Sequence, residues 1–328
     1  MRPPGWSTGR SGKEAGSVGA VVCSSRSPMD LCQAKSEIRQ LLSRVEPSQV
    51  PKLLDWLRNS EDLDELRVDN GKVILRSIAE EIRKGLPPDA MLPCELIAQH
   101  KMRQHSRPTA HVDAFLYEDD YVDALCETGR MSRSYCRECG SRRTAPLDFV
   151  SHSFSACELL FLFQNVLPDL SGRTLVDVGS RLGAVLYGGF VYSSASRLVG
   201  VELSEEFVGL QNKMVHKYGM NPRVEVVHAD VRTQAVLLQT ADVLVMNNVF
   251  EYFMEPGEQV RAWRFIMQAF RKPGSLLVTV PSLEDSLQPL QVALPTGWVE
   301  ELPVDYDVYV GKDADPEDLQ QFHLYRVL

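Results

Sequence analysis

The apolar positions along the chain change their rhythm between its two ends. From Met29 to about Gln104 they recur at helical spacing. Ile38, Leu41, Leu42 and Val45 mark a first helix ending before Pro47. Pro47-Ser-Gln-Val-Pro51 opens a second, with Leu53, Leu54, Trp56 and Leu57 on its apolar face. Asn70-Gly71 is predicted to break the chain. Val73, Ile74, Ile78 and Ile82 then make a third helix, stopped by Gly85 and Pro87-Pro88, and Leu92 to Met102 is predicted as a fourth. This region reads as a small helical bundle, with partner binding as the sharper alternative. Over 105–148 the periodicity weakens into a Cys-containing connector. From about Phe149 short apolar runs alternate with helical stretches, the signature of an α/β domain. Phe149, Phe154 and Leu159 to Phe163 read as the helix that enters it, with Pro168 and Gly172 in the following loop. Strands are predicted at Thr174–Val178, Arg197–Ser204 with Glu202 near its end, Val224–Val231 with Asp230 at its end, Ala241–Tyr252 as an apolar strand running into a polar tip, Ser275–Val280, Trp298–Leu302 and Phe322–Leu328, with a helix over Gln259–Arg271.

One stretch organises this domain. Thr174 to Val178 is a buried strand carrying an acid, Asp177. It is followed by Gly179-Ser-Arg-Leu-Gly183 and then by an apolar segment, Ala184 to Tyr192, fit for a helix. A strand, a glycine-containing turn and a helix start form the place where an α/β sheet receives a nucleotide-like ligand, because the backbone approaches closely and the helix start presents unpaired N–H groups. The dinucleotide fingerprint is not met, since Arg181 and Ala184 occupy two of its glycine positions. A P-loop would end in Gly-Lys-Ser/Thr and is absent too. Downstream, the second strand ends in Glu202, 25 residues after Asp177, where a carboxylate can accept hydrogen bonds from both ribose hydroxyls. The third runs into Asp230 and Val231, and the fourth into Asn247-Asn248-Val-Phe-Glu-Tyr252.

In this order the motifs resemble the class I S-adenosylmethionine-dependent methyltransferases. Asp177, Gly179 and Gly183 fall in register with motif I, D/E-x-G-x-G-x-G, and Arg181 stands where the central glycine belongs. The resemblance covers about 180 residues and implies a seven-strand, Rossmann-like methyltransferase sheet preceded by the N-terminal helical region. It implies S-adenosyl-L-methionine as cofactor, held by Asp177, Gly179, Ser180, Gly183, Glu202, Asp230, Val231 and Asn247, with Asp230 facing the adenine amino group and Val231 its ring. Val-Asp-Val-Gly-Ser, Gly-Val-Glu-Leu and Asn-Asn-Val-Phe are also locally similar to the non-SET histone-lysine methyltransferases, which implies a protein substrate such as lysine. The family's N-N-P-P-Y form is not matched. No fixed catalytic dyad is expected, because methyl transfer needs mainly alignment and exclusion of water, so no catalytic residue is assigned. Ser151-His152-Ser153, just before motif I, falls where the family's chain often crosses the cofactor cleft; a lone His is more often structural. Bland readings stand beside each: Asp230 as a cap, Asn247-Asn248 as a turn.

Charge and cysteines refine this. Lys and Arg total 35 against 44 Asp and Glu, a net charge of −9. That disfavours a general nucleic-acid surface and would attract basic protein tails. No apolar run approaches the roughly 20 residues of a membrane span. Seven cysteines in a long chain point to a reducing, intracellular compartment, cytoplasmic or nuclear. Residues 1–28, rich in Gly, Ser, Pro and Arg, read as a disordered extension. They share the Arg- and Ser-rich, acid-poor composition of an organellar transit peptide but lack its apolar stripe, and Met29 offers an alternative start. Cys136-Arg-Glu-Cys139-Gly140 is half of a zinc knuckle, with Cys126, His111, His152 and Cys157 as further ligand candidates. Two reduced thiols are the alternative, and no metal ligand is assigned. The competing function is a catalytically silent methyltransferase-like scaffold in which Arg181 fills the sulfonium site or pairs with Asp177. A nicotinamide oxidoreductase is disfavoured by the missing glycines.

Overall fold

The computed structural model describes residues 31–59, 61–87, 91–95, 100, 109–137, 143–146, 148–308 and 316–328. The extension over 1–28, Cys139 and Gly140 lie outside them. Residues 1–53 and 54–328 form two compact units. The described part of the first is helix α1, Leu31–Leu42, with the start of α2, Val50–Asn59.

In the second unit α3, Glu61–Arg83, runs through Asn70-Gly71 without the predicted break. The reason is a close approach. A Cβ at Gly71 would lie 2.5 Å from Cε1 of Tyr192 and 2.7 Å from Cγ1 of Val191, so glycine here lets α3 lie against the domain, at a propensity cost of about 1 kcal/mol. Pro93–Glu95 is a single 3₁₀ turn, and the rest of the predicted fourth helix falls mostly outside the described residues. In the connector, β1 (Thr109–His111) pairs in parallel with β4 (Asp148–Val150), and β2 (Ser134–Cys136) pairs antiparallel with β3 (Thr144–Pro146). A helix, α4 (Asp119–Glu127), lies between β1 and β2, where the sequence pattern had given no helix. Then α5, Ala156–Phe161, starts with a capping box, Ser155 and Glu158 each satisfying the other's backbone N–H.

The sheet is built from β5 (Thr174–Val178), β6 (Arg197–Glu202), β7 (Val224–His228), β8 (Val243–Asn247), β9 (Leu276–Val280), β10 (Val299–Leu302) and β11 (His323–Val327). Its order is β10-β11-β9-β8-β5-β6-β7, parallel from β9 to β7, with β11 antiparallel to both β9 and β10. The seven-strand α/β expectation, with its antiparallel edge, is met. Helices α6 (Ala184–Tyr192), α7 (Glu205–Lys217), α8 (Ala235–Thr240) and α9 (Pro256–Ala269) follow β5 to β8 as crossovers.

Side chains alternate strictly between two cores. Leu175, Leu198, Val243, Val245 and Val278 join the cluster shared with α3, α5 and α6. Val176, Val199, Leu244, Met246 and Leu277 join the other, which holds Trp263 and Ile266 of α9. With both faces covered, the free edge is the row of carboxyl ends. Strand order reverses between β5 and β8, which neighbour each other although two strands separate them in the chain. A crevice forms outside such a point.

Candidate active site

The crevice holds a cavity of about 280 Å³, at the small end of ligand pockets. Glu202 ends β6, Asp230 and Val231 follow β7, and Asn247 ends β8; all four line it, as does Gly179 after β5. Gly179 has φ +71°, and its N–H donates to the Val201 carbonyl at 2.8 Å. A Cβ there would come within 2.2 Å of Cγ2 of Val249, so the turn has no room for a side chain.

Glu202 is buried and its carboxylate is held from both sides: Oε2 accepts from the Arg181 N–H at 2.8 Å, Oε1 from the Ser204 N–H at 2.7 Å. Burial raises its pKa, against those backbone hydrogen bonds. Each oxygen accepts one of these backbone bonds and retains capacity for a further donor, which is what a vicinal diol needs. Asp230 accepts from the Arg232 N–H at 2.8 Å and pairs with its guanidinium at 2.6 Å, which holds the carboxyl below its usual range. The capping reading of Asp230 is therefore realised together with its place in the cavity wall.

Asp177, Ser180 and Gly183 sit behind the wall rather than in it. Asp177 is buried on β5, its carboxyl pushed up to about 8 by desolvation and then by Glu202. Ser180 Oγ donates to Gln211 Oε1 at 2.9 Å. Gly183 is the left-handed cap of α6.

Arg181 lines the cavity but does not pair with Asp177. Its side chain is buried, with Nε 2.6 Å from Glu95 Oε1, Nη2 3.2 Å from Glu95 Oε2 and Nη1 2.6 Å from Asp113 Oδ2. The guanidinium also lies 5.3 Å from the ring centroid of Phe207. Its φ of +45° is in the region glycine favours, so the backbone keeps the turn that the motif's central glycine would give. Asp113 is fully buried and also accepts from Ser153 Oγ at 2.7 Å and the N–H groups of Phe115 and Leu116.

Glu95, Phe207, Phe253 and Met254 line the cavity without having been singled out for it, and His152, from the segment expected to cross the cleft, lines it too. An arginine in a glycine position is the signal that points to Glu95 and Asp113, since a buried guanidinium requires carboxylate partners. His152 is buried and its ring stacks on His111 at 4.7 Å between centroids, with Tyr252 and Phe253 at 5.1 and 4.9 Å. Burial drives its pKa down to about 2, helped by His111 and Arg181, so the ring is neutral. Of the zinc-ligand candidates, these two histidines meet, while Cys136 is exposed on β2 and Cys157 is buried in α5. Among the described residues no group of three or more His, Cys, Asp or Glu is arranged to hold a metal ion.

A second cavity, about 630 Å³, adjoins the first: Asn247 lines both. Its wall includes Asn248, Tyr252, Ser151, Ser153 and Glu158. Burial pushes the Glu158 carboxyl up to about 7 despite hydrogen bonds from Ser155. The unfolded chain then ionises near 4.5 while the folded one keeps its proton to about 7, so stability falls as pH rises through that window. Glu158→Gln preserves the capping box and should remove this slope. Denaturant melts from pH 4 to 8 should show the variant gaining up to about 3 kcal/mol on the wild type towards pH 8. Parallel profiles would refute it.

Residues 176–278 match the family model described as a methyltransferase domain. No curated protein matches the chain. Among solved structures, a methyltransferase from Geobacter sulfurreducens is 18% identical over 64% of this chain and 89% of its own, with a TM-score of 0.36. An RNA methyltransferase from Salinibacter ruber, in complex with S-adenosyl-L-homocysteine, is 16% identical over 52% and 86%, with a TM-score of 0.33.

Proposed function

We propose that the segment over 176–278, which matches the methyltransferase family model, works as an S-adenosylmethionine-dependent methyltransferase domain, that the crevice at the carboxyl ends of β5 to β8 binds S-adenosylmethionine, and that the methyl acceptor is a protein side chain such as lysine. The observation that carries the cofactor reading is convergence. Polar groups from the ends of three successive strands and a turn closed to any Cβ face one cavity. Glu202 would take the ribose hydroxyls, Asp230 and Val231 the adenine, and the backbone at Gly179 the approach of the remaining chain. Bound there, the cofactor supplies a methyl group activated as a sulfonium. What the protein adds is alignment and a dry site, with Val249, Phe250, Phe253 and Met254 excluding water.

The acceptor reading rests on the second cavity. It reaches the crevice at Asn247, whose amide can hold a nucleophile without charging it, and its wall holds Asn248 and Tyr252 together with the charged residues Lys72, Arg76, Glu118, Arg133, Glu158 and Asp318. A lysine amine must lose its proton before it can attack, and the uncharged Asn247 amide at the junction does not oppose that loss. The −9 charge of the chain would draw basic protein segments towards it. Against the scaffold alternative stands the pairing of the Arg181 guanidinium with Glu95 and Asp113, although Arg181 also lines the crevice.

Two measurements test this. Calorimetric titration with S-adenosylhomocysteine should give a binding isotherm, and its absence would favour the scaffold. Incubation of cell extract with tritiated S-adenosylmethionine, followed by separation of protein, RNA and small molecules, should place the label in protein. Label confined to another fraction would overturn the acceptor.

A further inference from the structure

His152 is a buried polar side chain whose two ring nitrogens have no hydrogen-bond partner among the described residues. Buried polar atoms are nearly always satisfied, and leaving one unmade costs about 1–3 kcal/mol, so an orphaned imidazole in a cavity wall asks for a function. Its position is over-determined. Ser151 Oγ accepts from the Ala114 N–H at 2.9 Å and donates to the Ser153 carbonyl at 2.8 Å, while Ser153 Oγ is anchored on Asp113. The ring is sandwiched by His111, Tyr252 and Phe253. Every contact that fixes it is apolar stacking or backbone anchoring; none uses its nitrogens.

The place is equally specific. His152 lines the crevice, its sequence neighbours Ser151 and Ser153 line the second cavity, and Tyr252, tilted against the ring, lines that cavity too. The imidazole therefore stands at the partition where the two spaces meet, on the same boundary as Asn247. A nucleophile reaching the crevice from the second cavity has to pass this pair. Held neutral by burial, the ring offers one nitrogen lone pair for an N–H or O–H donor and would not repel a cationic cofactor.

Resting on the methyltransferase reading above, we propose that His152 is a catalytic residue that accepts a hydrogen bond from the methyl acceptor, an uncharged amine or hydroxyl, and with Asn247 orients its lone pair into the crevice. Direction is what such a bond adds: one N–H or O–H held by the imidazole leaves the lone pair free to point along the transfer line.

His152→Phe keeps the stacked ring and removes both nitrogens. With the full-length chain, S-adenosylhomocysteine affinity should stay within about twofold of wild type, and the melting temperature should be unchanged or higher because the orphaned atoms are gone. Tritium incorporation into extract protein should fall about tenfold or more. His152→Gln, which restores an acceptor atom, should recover part of that loss. A reading independent of turnover comes from the imidazole nitrogen resonances of His152 in protein saturated with S-adenosylhomocysteine. Adding n-butylamine, the lysine side chain without its backbone, should shift one nitrogen of the ring in wild type. Labelling by His152→Phe at the wild-type rate would overturn the proposal, as would loss of S-adenosylhomocysteine affinity parallel to loss of labelling, or a resonance indifferent to the amine. Wild-type protein that fails to bind S-adenosylhomocysteine would instead remove the methyltransferase reading, and this assignment with it.

Discussion

Asp113→Ala should destabilise the protein by about 3–5 kcal/mol, the cost of breaking a buried ion pair by removing one partner. The size follows from what the carboxylate does. It is fully buried, it neutralises Nη1 of Arg181 at 2.6 Å, and it satisfies Ser153 Oγ and two backbone N–H groups. Alanine leaves the guanidinium in a dry site with Glu95 alone, and leaves the loop after β1 without its internal acceptor. Against a net stability of typically 5–15 kcal/mol, that is a large fraction, and urea unfolding followed by circular dichroism will read it directly. A loss below 1 kcal/mol would mean that water reaches the triad and that the pair behaves as a surface contact. Arg181→Gly, which would recreate the motif's glycine, should not be a harmless reversion. It relieves a left-handed backbone conformation but strands two carboxylates, Glu95 and Asp113, in the same dry space.

Gly179→Arg should abolish both cofactor binding and methyl labelling. Two independent obstacles add at this position. The backbone is at φ +71°, where a Cβ costs roughly 1–2 kcal/mol, and any Cβ would stand 2.2 Å from Cγ2 of Val249. Val249 lines the cavity, so the chain can relieve the clash only by moving the wall, and the arginine side chain must then occupy the crevice. A calorimetric titration with S-adenosylhomocysteine should show affinity reduced by more than about a hundredfold, near 3 kcal/mol, while the far-ultraviolet spectrum stays folded. Wild-type affinity in this variant would place the cofactor elsewhere.

The sheet was legible because its strands are buried on both faces. Such strands appear as short apolar runs, and each polar residue at a strand end stands out: Glu202, Asp230 and Asn247 were visible for that reason and line one cavity. The turn was legible from Gly179, although Asp177, Ser180 and Gly183 build the wall's backing rather than its surface. The connector was much less readable. Its strands are three residues long, too short to show alternation, and α4 is only nine residues long and interrupted by Asp119, Asp120 and Asp123, so neither period emerges. Asn70-Gly71 was misread as a stop because local propensity says nothing of Tyr192, 121 residues further on, against which the glycine fits. Glu95 and Asp113 could not be tied to Arg181 from spacing alone, since ion pairs at sequence separations of 86 and 68 leave no local trace.

That triad has a consequence for how the molecule can be dissected. The motif turn after β5 is tethered through one guanidinium to residues that precede the sheet by more than 50 positions. A fragment beginning at α5 would carry a bare, unneutralised cation beneath its own ligand turn. The segment upstream of the sheet is therefore not baggage to be trimmed. Any graft or domain exchange that keeps Arg181 has to bring Glu95 and Asp113 with it.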